Sequence, residues 1–240
     1  MTPITSVLVP VDFGDASARA VAVAGRIAEA TGARLQVLHA EPIDAPAYFT
    51  HEQIEALAAQ RRSLRHRAES YLEAFVRRHT RAPFTAVISQ ASPTDAIGQH
   101  AGTADLVVMG THGRTGPSRW WMGSVAERVL WETRRPLMVV HAGDDPTRPF
   151  TQIAVHAAPP AAGEPARALA DELGRRLGAP VIDRRQEPLP PAGAVDDATL
   201  AVIAVPLPHS RAWQHAVGEP LVRTAHAVLF VPESDSRRTQ

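Results

Sequence analysis

The sequence predicts an α/β protein built from two Rossmann-like parallel-sheet domains. The first (residues 1–143) has strand order 3-2-1-4-5, and the second (residues 149–235) is a shortened copy. Three observations carry this. Short apolar runs alternate with amphipathic stretches, five runs falling between residues 6 and 140. Most runs are apolar at consecutive positions, which marks strands buried on both faces and hence a sheet covered by helices on both sides. After residue 149 the same alternation restarts in a poorer form.

Residues 6–11 make the first strand, ended by Asp12. Asp15 or Ser17 can cap the helix that follows. In it Ala20, Val21, Ala24, Ile27 and Ala28 recur at helical spacing until Gly32. Residues 35–40 are the second strand. From residue 51 to 79, Ile54, Leu57, Leu64, Tyr71, Leu72 and Phe75 mark one face of a long amphipathic helix. Arg61, Arg62, Arg65, Arg67, Arg77 and Arg78 fall mostly on its wet side. Residues 84–88 form the third strand. Ser92-Pro93 combines an N-cap with a proline in the first turn and opens a short helix to about residue 103. Residues 106–109 and 136–140 are the fourth and fifth strands. Right-handed crossovers with a single reversal put that reversal between strands 1 and 4. Asp12 and Gly110 close these two strands and flank a crevice of the kind in which such sheets bind ligands.

Between strands 4 and 5 lies Gly110-Thr111-His112-Gly113, then nine residues, then Gly123-Ser124, before the amphipathic stretch 125–130. Glycine lets backbone N–H groups approach an anion closely. A helix start adds unpaired N–H groups and the positive end of its dipole. The loop therefore predicts a phosphate-bearing ligand, against the simpler reading of a plain turn. Asp12 is read as a ligand contact, with a turn-forming or helix-capping carboxylate as the competing role. Arg114 either pairs with phosphate or stays solvated.

Composition removes several alternatives. All 25 basic residues are Arg, and the chain has no Lys. A Walker-A loop, a Schiff-base enzyme, a protein kinase and a phospho-acceptor receiver domain each depend on a lysine, so the sequence argues against all four. The 25 basic and 25 acidic residues leave zero formal net charge, which argues against a nucleic-acid partner. Absence of Cys excludes disulfides and thiol chemistry. No apolar run approaches membrane length and no leader pattern opens the chain, so no membrane partner and a cytoplasmic location are expected. The eleven histidines, among them His39, His141, His156, His209, His215 and His226, show no paired ligand spacing, and no protein-held metal site is predicted. His112 differs from them by lying inside the loop.

Taken with the strand pattern, these motifs resemble the universal stress protein family. Residues 3–142 follow its fold pattern, described as adenine nucleotide alpha-hydrolase-like. Gly110, Gly113, Gly123 and Ser124 match its ATP-binding signature, G-x2-G-x9-G-[ST], at every fixed position. The resemblance implies that ATP is bound, in some members with a divalent cation such as Mg²⁺. It implies that Pro10, Val11 and Asp12 line the adenine and ribose pocket and that the Ala40 backbone meets the adenine edge. Met109 precedes the loop, and Gly110, Thr111, His112, Gly113 and Arg114 wrap the phosphates. Gly123, the Ser124 hydroxyl and the Val125 backbone cap the far side. It further implies dimers or tandem fusions, so the second half is expected as a built-in partner in an intrachain pseudo-dimer, with a homodimer as a further form. Two departures stand out: Gly14 occupies a place where a hydroxyl residue is common, and Trp120-Trp121 lies inside the nine-residue spacer.

In the second half, residues 152–156, 180–182, 200–205 and 228–231 resemble strands 1, 2, 4 and 5, and residues 164–177 and 217–225 resemble helices. Proline-rich residues 186–194 stand where the first half carries a long helix and a strand. Pro206-Leu207-Pro208-His209 replaces the glycine loop, only Gly218-Glu219 echoes Gly123-Ser124, and His156 is read at the place of Asp12. No nucleotide is expected there. The function expected is that of an ATP-binding stress or regulatory protein with at most slow hydrolysis, since no general base, nucleophile or paired metal carboxylates surround the loop. One alternative is an interaction module whose site is vestigial or covered by Trp120 and Trp121. Another, an adenylating enzyme, is disfavoured because Asp12-Phe13-Gly14-Asp15-Ala16-Ser17 stands where a Ser-Gly-Gly-x-Asp-Ser type loop belongs.

Overall fold

The computed structural model describes residues 3–42, 51–110, 124–140, 150–157, 163–187, 199–205 and 227–233, with the backbone alone for residues 51–64 and Ser124. In chain order the elements are β1 (Ser6–Pro10), α1 (Asp15–Thr31), β2 (Arg34–Ala40), α2 (His51–His79), β3 (Phe84–Ser89), α3 (Pro93–Ala101) and β4 (Leu106–Gly110). They continue with α4 (Ser124–Thr133), β5 (Leu137–Val140), β6 (Gln152–Ala157), α5 (Glu164–Leu177), β7 (Val181–Asp183), β8 (Thr199–Val205) and β9 (Val228–Pro232). The expected linker after residue 143 and the helix at 217–225 lie outside the described residues.

Local chemistry sets the element ends. α1 stops because Gly32 turns left-handed (φ 74°) and returns its N–H to Ala28 O at 2.8 Å. α3 starts where Ser92 Oγ accepts from the Asp95 N–H and donates to Asp95 Oδ2, a reciprocal cap with Pro93 in the first turn.

Nine strands form one sheet in the order β3-β2-β1-β4-β5-β9-β8-β6-β7. The first five, all parallel, have the expected order 3-2-1-4-5. The other four are parallel among themselves, and β7-β6-β8-β9 repeats the order β2-β1-β4-β5. The sequence assigns a parallel sheet to each half and does not specify how the two join. The observed sheet is continuous, because β5 and β9 pair antiparallel, with Leu137 opposite Phe230 and Val139 opposite Val228. Each of these strands would otherwise present an open edge of backbone donors and acceptors, and each covers the other.

The pairing register also corrects the place of His156. Leu35 and Val181 each follow a left-handed cap glycine, Gly32 or Gly178, by the same interval, and they pair with Val7 and Ile153 respectively. His156 therefore corresponds to Pro10, and the place of Asp12 falls at residue 158, outside the described residues. A two-residue slip keeps every side chain on the same face of the sheet, so no hydrophobic pattern within the strand excludes it, and the sequence alone misplaced the residue.

Strand residues feed two buried layers. Val7, Val9, Val37, Leu106 and Val108 pack with α1, α2 and α5 on one face, and Leu8, Leu38, Val107 and Met109 pack with α3 and α4 on the other. At the amino ends of β1 and β4 a carboxylate staples the sheet: Asp105 Oδ2 accepts from Thr5 N and Thr5 Oγ1 at 2.8 Å and from Ser6 N at 3.1 Å. Ser6 Oγ lies 3.0 Å from both Asp105 Oδ2 and Thr103 O, and its single proton serves one of them. Partial burial pushes the Asp105 carboxyl up, but the hydrogen bonds from Thr5 and Ser6 outweigh it and hold the group below its ordinary value.

Asp105→Ala is expected to lower the unfolding free energy by about 1–3 kcal/mol at pH 7 in denaturant titrations. A carboxyl depressed in the folded state contributes fully above its unfolded pKa and loses that contribution as pH falls through the folded one. The gap between wild type and variant should therefore narrow below roughly pH 4; a gap that widens in acid contradicts the assignment.

Candidate functional site at the reversal of strand order

Three strand ends meet at the carboxyl edge of the sheet. Pro10 pairs with Leu38 of β2, and Leu8 pairs with Val107 of β4. This register brings Asp12 out level with Ala40, the last residue of β2, and next to Gly110, the last residue of β4. Helices switch faces here, α1 and α2 lying on one side and α3 and α4 on the other. A crevice outside the strand ends is the consequence. α4 runs back antiparallel to β4, so its first residue, Ser124, returns to the same edge.

Each predicted residue takes a definite place. Asp12 is exposed, and its Oδ1 accepts from the Gly14 N–H at 3.0 Å and from Ser17 Oγ at 2.7 Å. The turn-forming role weighed against ligand contact is thus present, and it sits at the crevice mouth. Gly14 precedes α1 with extended backbone, and no side chain caps the helix. Val11 and Met109 bury their side chains in opposite layers and offer the crevice only backbone. Val11 O accepts from His39 Nδ1 at 2.8 Å, which fixes the proton on that nitrogen. Pro10, Ala40, Gly110 and Val125 are half-buried. Thr111, His112, Gly113, Arg114 and Gly123 lie outside the described residues, as do Trp120 and Trp121.

Gly110 has a role that the phosphate reading missed. A Cβ there would fall 2.3 Å from the Ala16 carbonyl carbon and 2.6 Å from Ser17 N. The first turn of α1 lies directly on β4, and only glycine admits it. Small residues at Ala16 and Ser17 were the available signal.

The corresponding edge of the second half is filled by its own side chains. Gly163, at the place of Ser17 and left-handed (φ 78°), donates its N–H to Glu233 Oε1. Arg185 pairs with Glu164 at 2.6 Å and Asp183 at 2.8 Å, and its Cδ would lie 2.7 Å from a Cβ at residue 163. Arg185 holds the Asp183 carboxyl well below its ordinary range. His156 is buried, and its Nδ1 has no hydrogen-bond partner among the described residues. Burial lowers its pKa, with Arg184 adding to the shift and Glu187 opposing it. No group of three or more His, Asp or Glu suited to a metal ion occurs among the described residues, nor does a helix long and apolar enough to cross a membrane.

This crevice, set at the reversal of a 3-2-1-4-5 sheet, defines a Rossmann-like α/β protein. Comparison with known proteins specifies the family. The universal stress protein family model matches residues 3–141, more than half the chain, and the chain belongs to that family. A universal stress protein of Thermus aquaticus, from the 3′ region of a QAH/OAS sulfhydrylase gene, is 36% identical over 140 residues, covering 56% of this chain and 97% of that protein. A universal stress protein of Mycobacterium tuberculosis is 33% identical over 138 residues, covering 55% of this chain and 44% of the relative. A solved universal stress protein of Archaeoglobus fulgidus overlays 95% of this chain and 98% of its own with TM-score 0.61 and 14% identity, a likeness of fold.

Gly110→Ala should destabilise the chain by about 2 kcal/mol or more, since backbone must move. In the interior of α3, a Cβ at Gly98 meets nothing within 4 Å. There Gly98→Ala should stabilise by about 0.5–1 kcal/mol. Thermal unfolding of the two variants checks the contrast, and equal effects contradict the close approach of α1.

Proposed function

We propose that the chain binds one ATP in the crevice of its first half and acts as a regulatory protein with at most slow hydrolysis. The observation that carries this is the meeting of Asp12, Ala40 and Gly110 at the carboxyl edge of the strand reversal, just beyond Pro10, with the G-x2-G-x9-G-S spacing running from Gly110 to the first residue of α4. The donor set suits the ligand. An exposed carboxylate accepts hydrogen bonds from ribose hydroxyls, the half-buried Pro10 and Ala40 make a small floor for the base, and neutral backbone donors of the loop with Ser124 hold phosphates. Mg²⁺, where present, would be held chiefly by the nucleotide's phosphates.

In this reading the second half is a built-in partner joined through β5 and β9, and it takes no nucleotide. Support comes from the Glu233 contact with Gly163 and the Arg185 pairs, which occupy the edge where a second ligand would enter.

Calorimetric titration with Mg-ATP should give one site per chain. Gly113→Val, Gly123→Val and Ser124→Ala should each weaken binding by roughly tenfold or more. Phosphate release should stay at a slow background. Wild type without ATP affinity, or loop variants that bind as well as wild type, would contradict the proposal.

A further inference from the structure

Phe13 follows Asp12 and adopts the left-handed backbone region (φ 64°), while its neighbour Gly14 sits in ordinary extended backbone (φ −79°). A bulky residue is strained in this conformation, and glycine would adopt it freely. The position least suited to an aromatic therefore holds one, with a glycine unused for the purpose beside it. Ring contacts offset the cost. Phe13 lies 4.4 Å from the His39 ring, 4.7 Å edge-on from Tyr71 and 5.3 Å edge-on from Phe75, centroid to centroid. Such tilted and edge-on pairs are favourable beyond the area they bury. They tie the turn to β2 through His39, itself bonded to Val11 O, and to α2 through Tyr71 and Phe75.

The left-handed step turns the chain so that the Gly14 N–H and the Ser17 hydroxyl reach back to Asp12 Oδ1. We infer that Phe13 is a positioning residue: its ring, held by His39, Tyr71 and Phe75, fixes the direction in which Asp12 meets the ribose hydroxyls of the nucleotide. This rests on the proposed ATP site. Nothing in the ring cluster itself needs to touch the ligand, because Phe13 and Phe75 pack in the layer of α1 and α2, whereas Ala40 packs against the opposite layer.

The test is a double-mutant cycle in the full chain, reading the affinities for ATP and for 2′,3′-dideoxy-ATP, which lacks both hydroxyls. Wild type should prefer ATP by roughly tenfold, the scale of a charge-assisted hydrogen bond. Phe13→Gly keeps the backbone conformation and removes the anchor, and should lose most of that preference. Asp12→Ala should lose it too, and adding Phe13→Gly to Asp12→Ala should change it no further. Phe13→Tyr should retain it. Tyr71→Ala, at an exposed rim (57% accessible), should reduce the preference partly and decides the matter if Phe13→Gly does not fold. A preference unchanged in Phe13→Gly and Tyr71→Ala, or losses that multiply in the double variant, overturns the positioning role while leaving ATP binding intact. Wild type that binds no ATP overturns both.

Discussion

The first turn of α1 rests on the backbone of Gly110 so closely that no side chain fits between them, and the carboxyl edge of the sheet is organised around that contact. It lies where the helices change face. It places Ser17 within hydrogen-bond reach of Asp12, which ties the turn after β1 to the first turn of α1. It fixes the point from which the glycine loop departs. A glycine required by packing and a glycine suited to an anion are the same residue. At the opposite end of β1 and β4, the Asp105 staple holds the amino ends of the two strands together.

Antiparallel pairing of β5 with β9 has a different consequence. It removes two open edges at once and makes nine strands one sheet, so that an ordered half and its shortened copy share a single pair of buried layers. The halves then differ at their carboxyl edges. Exposed Asp12 marks the mouth of the first. In the second, Glu233 accepts from the Gly163 N–H at the start of α5, and Arg185 pairs with Glu164 and Asp183 beside it. The Glu233 carboxylate thereby satisfies a backbone donor that a bound anion would otherwise use.

Much of this architecture is legible in the sequence because it is locally encoded. Consecutive apolar runs, Gly32, and Ser92 before Pro93 mark elements whose bounds the structure reproduces to within a residue or two. The order 3-2-1-4-5 follows from handedness. What is not local is not legible. No pattern within β5 or β9 announces that they pair with each other. The runs around His156 allow a two-residue slip, and the register that settles it comes from neighbouring strands. Gly14 drew attention as a departure, yet the residue with unusual backbone is Phe13, whose conformation depends on His39, Tyr71 and Phe75 from distant parts of the chain. Of the candidate site, Asp12 and the strand ends were readable, while the steric demand on Gly110 needed α1 to be placed.

The central claim is that one crevice, at the strand reversal of the first half, holds the nucleotide. Hydrogen–deuterium exchange of the full chain with and without saturating Mg-ATP tests it most directly. Slowed exchange is expected in peptides spanning residues 8–17, 38–42 and 106–127, with residues 150–157, 163–187, 199–205 and 227–233 unchanged. Protection centred on the second half, or none anywhere, would contradict the account.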